Sequence, residues 1–443
     1  MRAFLARRFR LAEKGTDIRT EVMAGTATFL TMAYIIVVNP QILAAADMPF
    51  AGVLFATVMT AALSSIIMGF WANLPFAMAP GMGINAFFTY TLVIGMGTPW
   101  ETALGAVFVS GVVFVVLSLF KVREKIVEAI PASVRYGVAA GIGLFLALIG
   151  LKSVDFIVAD PVTAVSFGGL TAQVGVFTVG LAGTAWMIIR RVRGALIFGI
   201  VGTSALALTV SGLLGAAGRE PFAAMPEAVF AWPSLDVFLA MDVRGALALG
   251  MILPVFTFLF TDVFDSLSTF VGVAEVGGFI DERTGQPENV GRALQADAAS
   301  TVLSGVFGTS SGTTYIESAA GIEEGGRTGL TAVVAGLLFL PFMFLSPLLA
   351  LVPEAATAPI LVLVGLFMLK PLTKVAWDDF ESALPAFLAL VLIPLTYNIT
   401  QGIIWAFLVH TALKILLGKW RELTVTLLVI DALAIVSLVL AAE

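Results

Sequence analysis

The stretch Asn73-Leu-Pro75-Phe-Ala-Met-Ala-Pro80-Gly81-Met-Gly83-Ile-Asn85 interrupts an otherwise apolar run. Proline lacks an amide donor and clashes with the preceding turn, and glycine loses the most backbone freedom. Pro75, Pro80, Gly81 and Gly83 therefore cannot continue a regular helix. A second stretch, Gly308-Thr-Ser-Ser-Gly312-Thr-Thr-Tyr315-Ile316-Glu317, is polar and rich in Thr and Gly between apolar neighbours. Each is either a surface loop between short helices or a broken membrane span. Irregular backbone at membrane depth survives only against protein or a wet cavity, so the second alternative implies a site.

The surrounding chain decides the class. Of 443 residues, 59% are apolar and 12% charged, and the mean hydropathy is +1.02. Soluble domains are about 45–50% apolar and about 25% charged. A soluble enzyme, a disordered chain and a nucleic-acid binder with a basic surface are excluded. With no Cys and one His, disulfides, thiolate metal sites and His clusters are excluded too. What fits is an all-α, polytopic membrane protein.

A span needs roughly 20 apolar residues. That measure places spans near 22–43, 52–72, 84–95, 99–120, 131–152, 172–190, 195–215, 245–272, 289–306, 315–323, 328–351, 356–370, 383–397 and 400–417. A further apolar segment, 424–441, either crosses or lies on the surface. Residues 1–20 carry Arg2, Arg7, Arg8, Arg10, Lys14 and Arg19 and no apolar core, which argues against a cleavable signal. Positive residues recur after span four (Lys121, Arg123, Lys125, Arg135), span six (Arg190, Arg191, Arg193), span twelve (Lys370, Lys374) and span fourteen (Lys414, Lys419, Arg421). The odd-numbered exits are acidic or bare: Asp155, Asp160, Asp236, Glu354. An even span count follows, with the N-terminus cytoplasmic in a multi-pass protein of the cell inner (cytoplasmic) membrane.

The long polar break at about 216–244 splits the chain into halves of about seven spans. Seven is odd, so the halves run in opposite senses, as in inverted-repeat transporters. Thr28-Phe29-Leu30 in span one recurs as Thr257-Phe258-Leu259 in span eight. The two interrupted stretches fall in spans three and ten, the same place in each half. Paired interruptions are the best sequence pointer to a substrate site. Gly81-Met-Gly83-Ile-Asn-Ala86 also resembles a dinucleotide fingerprint, but no strand–helix–strand unit surrounds it.

Acids at membrane depth cost about 2.5–3.5 kcal/mol on insertion scales and are functional candidates by default. In Phe260-Thr-Asp262-Val-Phe-Asp265-Ser-Leu-Ser-Thr269, residues Asp262, Asp265 and Thr269 share one helix face. Two carboxylates on one dry face favour the protonated form of one of them, which a proton carrier needs. A structural bracing role is the alternative, and it suits Asp262 better than Asp265. Glu317 stands where a short helix begins and meets free backbone N–H groups, as ligand or as cap. Asn85 holds the matching place in span three, where its amide serves a ligand or satisfies broken backbone. His410 reads as a packed side chain, and Asn398-Ile-Thr400 as a tight turn. Gly137-xxx-Gly141 reads as close helix packing. Asp281, Glu282, Arg283 and Glu288 read as a solvated loop, and Gly325-Gly326-Arg327-Thr328 as a turn.

Four stretches together resemble the AzgA-like branch of the nucleobase–cation symporter-2 family, the purine permeases. They are Met23-Ala-Gly-Thr-Ala-Thr-Phe-Leu-Thr-Met-Ala-Tyr34 with Asn39-Pro40, Ala79-Pro-Gly-Met-Gly-Ile-Asn85-Ala86, Thr261-Asp-Val-Phe-Asp-Ser-Leu-Ser-Thr269, and Thr313-Thr-Tyr-Ile-Glu-Ser318 with Gly325-Gly-Arg-Thr-Gly329. Pro394-Leu-Thr-Tyr397 fits as well, and the likeness runs in order from about 15 to 417. The resemblance implies fourteen spans in two inverted repeats, with short strands in spans three and ten. It implies a core domain from 22–120 and 245–351 and a gate domain from 131–215 and 356–417. Segment 424–441 is extra. It also implies a homodimer that moves core against gate. Substrate contacts carry over to Asp265 and Glu317, with backbone from Tyr315 and Ile316. Thr269 stands where uracil and xanthine relatives often carry His. Ser268 departs from the Gly typical of the branch.

The expected function is proton-coupled import of purine bases of the adenine, guanine and hypoxanthine class. Asp265, Glu317, Thr269, Asn85, Tyr315 and Ile316 would bind substrate, and Asp265, Asp262 and Glu317 would carry the coupling proton. Carboxylates accept from purine N–H groups and apolar faces hold the ring. Transport needs no covalent step, so neither enzyme activity, cofactor nor metal is expected. The alternative is an anion or other small-solute carrier on the same fold, which would want Arg or bare helix N-termini at the breaks. An integral-membrane enzyme would need an acid/base set beside a nucleophile or a metal cluster, and this composition leaves little for either.

Overall fold

The structure is a computed structural model that describes residues 2–119, 131–223, 228–279 and 288–440. Lys121, Arg123 and Lys125, and also Asp281, Glu282 and Arg283, lie outside the described residues. The first half contains α1 (Ile18–Met32), α2 (Ile35–Ala44), α3 (Phe50–Trp71), β1 (Met78–Pro80), α4 (Met82–Ala86) and α5 (Trp100–Leu119). It continues through α6 (Ala132–Ser153), a hairpin of β2 (Ile157–Asp160) and β3 (Ala164–Phe167), α7 (Ala172–Ile189) and α8 (Ala195–Ala216). The second half contains α9 (Ile252–Gly277), α10 (Val290–Phe307), β4 (Gly312–Thr314), α11 (Ser318–Glu323) and α12 (Gly329–Phe339). After these come α13 (Glu354–Phe367), α14 (Phe380–Leu395), α15 (Ile399–Leu416) and α16 (Val425–Leu440). Among the described residues, nine helical segments are long and apolar enough to cross a membrane.

Local chemistry explains several boundaries. Asp17 caps α1 by accepting from the Thr20 amide at 2.8 Å, and Asn398 caps α15 by accepting from Gln401 at 3.2 Å. Asn398-Ile-Thr400 is therefore a helix start, which is why an asparagine sits there. The first span, Ile18–Ala44, carries an irregular turn. It breaks at Ala33–Tyr34, between α1 and α2. No Gly or Pro marks that point. Instead Thr31 Oγ1 donates back to the carbonyls of Thr28 at 2.8 Å and Ala27 at 3.1 Å, a pattern that bends helices. The third span resumes after β1 as α4 and then runs as a π-helix over Phe87–Gly95, a rare form that clusters at functional sites.

The helices pack as two bodies. In one, α12 lies against α1 and α3, α10 against α3 and α5, and α9 against α5. In the other, α6 lies between α13 and α14, while α7 and α8 pack on α13. The Gly137-xxx-Gly141 pair serves the second body: a Cβ on Gly141 would lie 2.6 Å from the Ala389 carbonyl oxygen. The described part of segment 424–441 forms α16, which packs on α15 and also touches α9. Its Asp431 accepts from Thr411 of α15 at 2.6 Å. His410 is buried, 7% exposed.

Ion pairs test the threading. Lys14 meets Glu288 at 2.6 Å, so the N-terminal segment and the exit of span eight share a side. Arg193, after span six, pairs with Glu324, after span ten. Lys414 and Lys419, near the exit of span fourteen, both pair with Glu381, at the entry of span thirteen. Each pair joins even-numbered exits, as the alternation of basic residues requires. The turn at Gly325–Thr328 is held by buried Glu21, which accepts from the Arg327 amide at 2.9 Å and the Thr331 hydroxyl at 2.6 Å.

Candidate functional site at the paired helix breaks

The two interrupted stretches meet in the middle of the first body. β1 and β4 pair antiparallel, with Met78 opposite Thr314, Ala79 opposite Thr313 and Pro80 opposite Gly312. The Gly81 amide donates to the Ser311 carbonyl at 2.9 Å and the Tyr315 amide to the Ala77 carbonyl at 3.0 Å. Each break thus supplies the backbone partners the other lacks, which a bilayer core demands. Gly308 ends α10 with φ +96°, and a Cβ there would run into Val237. Ser65 of α3 anchors β1 by accepting from the Met78 amide at 2.9 Å, and Ser318 accepts from the Ala77 amide at 3.0 Å.

Four acidic or phenolic groups gather beside this pair. Glu317 lies three residues beyond the end of β4, at the N-cap of α11, and is half-buried. Tyr34, at the break of the first span, donates to Glu317 Oε1 at 2.8 Å. Tyr315 donates through its hydroxyl to the Pro80 carbonyl at 2.5 Å, tying one break to the other. Asp265 on α9 is half-buried and hydrogen-bonds Thr313 of β4. Asp265 and Glu317 lie near both tyrosines.

The remaining expected residues divide. Asp262 is 1% exposed. Its Oδ2 accepts from Thr301 Oγ1 at 2.5 Å and from Ser311 Oγ at 2.8 Å, so it fastens α9 to α10 and to the second break. Asn85 is fully buried, and its Oδ1 accepts from Ser310 across the two breaks. Its amide nitrogen approaches Met82 Sδ at 3.7 Å. Thr269 is buried one turn beyond Asp265, and the Ile316 side chain is 49% exposed. Among the described residues, no group of three or more His, Asp or Glu side chains is arranged to hold a metal ion. Two apolar hollows, lined by Ile67, Trp71 and Val115 and by Phe230, Trp232 and Phe344, include no residue of the breaks.

Sequence reasoning missed Tyr34, Ser310 and Thr313 as partners of the site. Tyr34 and Thr313 lie in stretches singled out for their resemblance, but nothing in their spacing shows that Tyr34 meets Glu317, 283 positions away, or that Thr313 meets Asp265.

A family model described as "Permease family" matches residues 19–404. The chain belongs to this permease family. It is 42% identical to the adenine permease AdeQ of Escherichia coli K12, over 98% of this chain and 96% of that protein. It is 41% identical to the guanine/hypoxanthine permease PbuG of Bacillus subtilis, over 94% of each. The AzgA-like resemblance therefore holds along the whole chain, and the protein is a multi-pass membrane transporter rather than an enzyme. Among solved structures, the transmembrane domain of the cyanobacterial bicarbonate transporter BicA superposes with a TM-score of 0.63 at 18% identity. That match covers 88% of this chain and 97% of that one. At that identity the likeness shows the fold alone: a largely helical core-and-gate transporter with short strands in its third and tenth spans.

Proposed function

We propose that this permease imports purine nucleobases by proton symport, with the core moving against the gate as an elevator. The observation that carries the reading is Glu317. It is a carboxylate at the junction of the two breaks, oriented by Tyr34 and accompanied by Asp265. Purines present N–H donors along a flat ring edge, and a carboxylate accepts them. Relatives named for adenine and for guanine and hypoxanthine match over nearly the full length, which supports the same class here. The core comprises 22–120 and 245–351, and the gate 131–215 and 356–417. The packing of α12 on α1 and α3, and of α6 on α13 and α14, supports that division. Asp265, Glu317 and Thr269 contact the base, with Tyr315 and Ile316 offering backbone. Asn85 frames the opposite side. Asp265 carries the coupling proton, while Asp262 holds the helix that presents it. The protein works as a homodimer in the cell inner membrane, with its N-terminus in the cytoplasm.

The rival is an anion carrier, since the fold is shared with a bicarbonate transporter. An anion site wants cations, and neither 73–85 nor 308–317 contains Lys or Arg. The discriminating experiment is uptake of radiolabelled adenine, guanine, hypoxanthine and bicarbonate into cells that lack their own permeases. Purine uptake that collapses with the proton gradient is expected. Bicarbonate uptake without purine uptake overturns the reading.

A further inference from the structure

We propose that Tyr34 sets base preference by occupying one oxygen of Glu317 and leaving the other for substrate. The inference deepens the purine reading above and rests on it. Tyr34 is 1% exposed and donates to Glu317 Oε1 at 2.8 Å. Its ring is not free to swing away. It contacts the Tyr315 ring at 6.5 Å between centroids, and Tyr315 is itself tied through its hydroxyl to the Pro80 carbonyl. Tyr34 sits at the junction of α1 and α2, in the N-cap position of α2. Thr31 reinforces the contact from the same turn, its Oγ1 lying 3.4 Å from the Glu317 carbonyl oxygen.

A carboxylate with both oxygens free grips two adjacent N–H groups in a forked geometry. Among purines, guanine offers such a pair, N1–H beside its exocyclic amino group. Hypoxanthine offers N1–H alone, and adenine an amino group beside a ring acceptor. With Oε1 engaged by the phenol, Glu317 presents chiefly Oε2 and makes one strong contact. Guanine's second donor then gains little over hypoxanthine from this carboxylate. Tyr34 is thus a positioning residue that narrows a forked acceptor to a single one and keeps the site tolerant of several purines.

The test measures guanine, hypoxanthine and adenine binding to purified, lipid-reconstituted wild type, Tyr34→Phe, Tyr34→His and Glu317→Gln. Freeing Oε1 in Tyr34→Phe should raise the guanine-to-hypoxanthine affinity ratio by about tenfold, the size of one hydrogen bond to a charged group. Tyr34→His, which restores an N–H donor, should return the ratio toward wild type. An equal loss for all three bases, or an unchanged ratio, overturns the proposal. So does a Tyr34→Phe protein that cannot be obtained folded, because the phenol is then a structural support. The underlying reading fails differently: Glu317→Gln would keep wild-type affinity for every base.

Discussion

The two broken spans solve one backbone problem with different chemistry at their ends. Both are interrupted by a three-residue strand, and each strand pairs with the other. Beyond the strand, span three carries Asn85, fully buried, its amide oxygen committed to Ser310. Span ten carries Glu317, half-buried, with Oε1 held by Tyr34. The same split separates the two acids of α9. Asp262 is enclosed by Thr301 and Ser311, while Asp265 stands half-buried beside Thr313. Asn85 spends its oxygen inside the protein while Glu317 keeps Oε2 clear of Tyr34, and on α9 Asp262 is 1% exposed where Asp265 is half-buried. Residue type does not distinguish the members of each pair; burial does.

That contrast is open to attack, the largest effect first. Glu317→Gln should abolish measurable purine binding in a folded protein. The amide presents a donor where the base also donates, and each buried group left unpaired costs about 1–3 kcal/mol. Isothermal titration of the purified variant checks it, and wild-type affinity there would remove Glu317 from the site. Asp265→Asn, which mimics the protonated acid, should keep some binding and lose accumulation against a gradient. A protonated Asp265 donates to a purine ring nitrogen and an ionised one cannot, so binding and protonation strengthen each other equally. Wild-type affinity should therefore fall as pH rises, while that of Asp265→Asn stays flat. If Asp265→Asn still concentrates purine under a pH gradient, the proton travels elsewhere, with Glu317 next in line.

Asn85→Ala and Ser310→Ala form a matched pair. As a brace, Asn85 should lose thermal stability equally in both variants, about 1–3 kcal/mol for the partner left unpaired. An affinity loss in Asn85→Ala that Ser310→Ala does not share would instead put the amide on the substrate. The smallest effect belongs to Tyr315→Phe, which removes the tie to the Pro80 carbonyl. About 1 kcal/mol of stability should go, with backbone-mediated base contacts retained. A complete loss of binding in Tyr315→Phe would mean that the hydroxyl itself touches the base.

Much of this was legible in the sequence because membranes leave few options. Runs such as 52–72 and 195–215 can only be spans, and Pro80 with Gly81 can only end one. The break in the first span was not legible, because Thr31 back-bonding to ordinary carbonyls has no sequence signature of its own. The hairpin at Ile157–Phe167 was missed for a related reason. Its Asp160 carboxylate accepts from the Val162 and Thr163 amides, and that turn looks like any polar loop. At the site, the residue types Asp265, Glu317 and Asn85 were visible. Their partners Tyr34 and Ser310 were not, because long-range pairing depends on how the two halves interlock.

The interlocking has a consequence for synthesis. Ala77 donates to Ser318 Oγ at 3.0 Å across 241 residues of chain. At roughly 5–20 residues per second, the first strand waits for tens of seconds with its partner still unmade. Throughout that interval an unsatisfied stretch of backbone sits among the first spans at the translocation machinery. A ribosome that stalls in the second half therefore leaves behind a fragment with exposed polar main chain inside the bilayer. Such a fragment is a clear mark for membrane proteolysis, and the completed protein carries no trace of it.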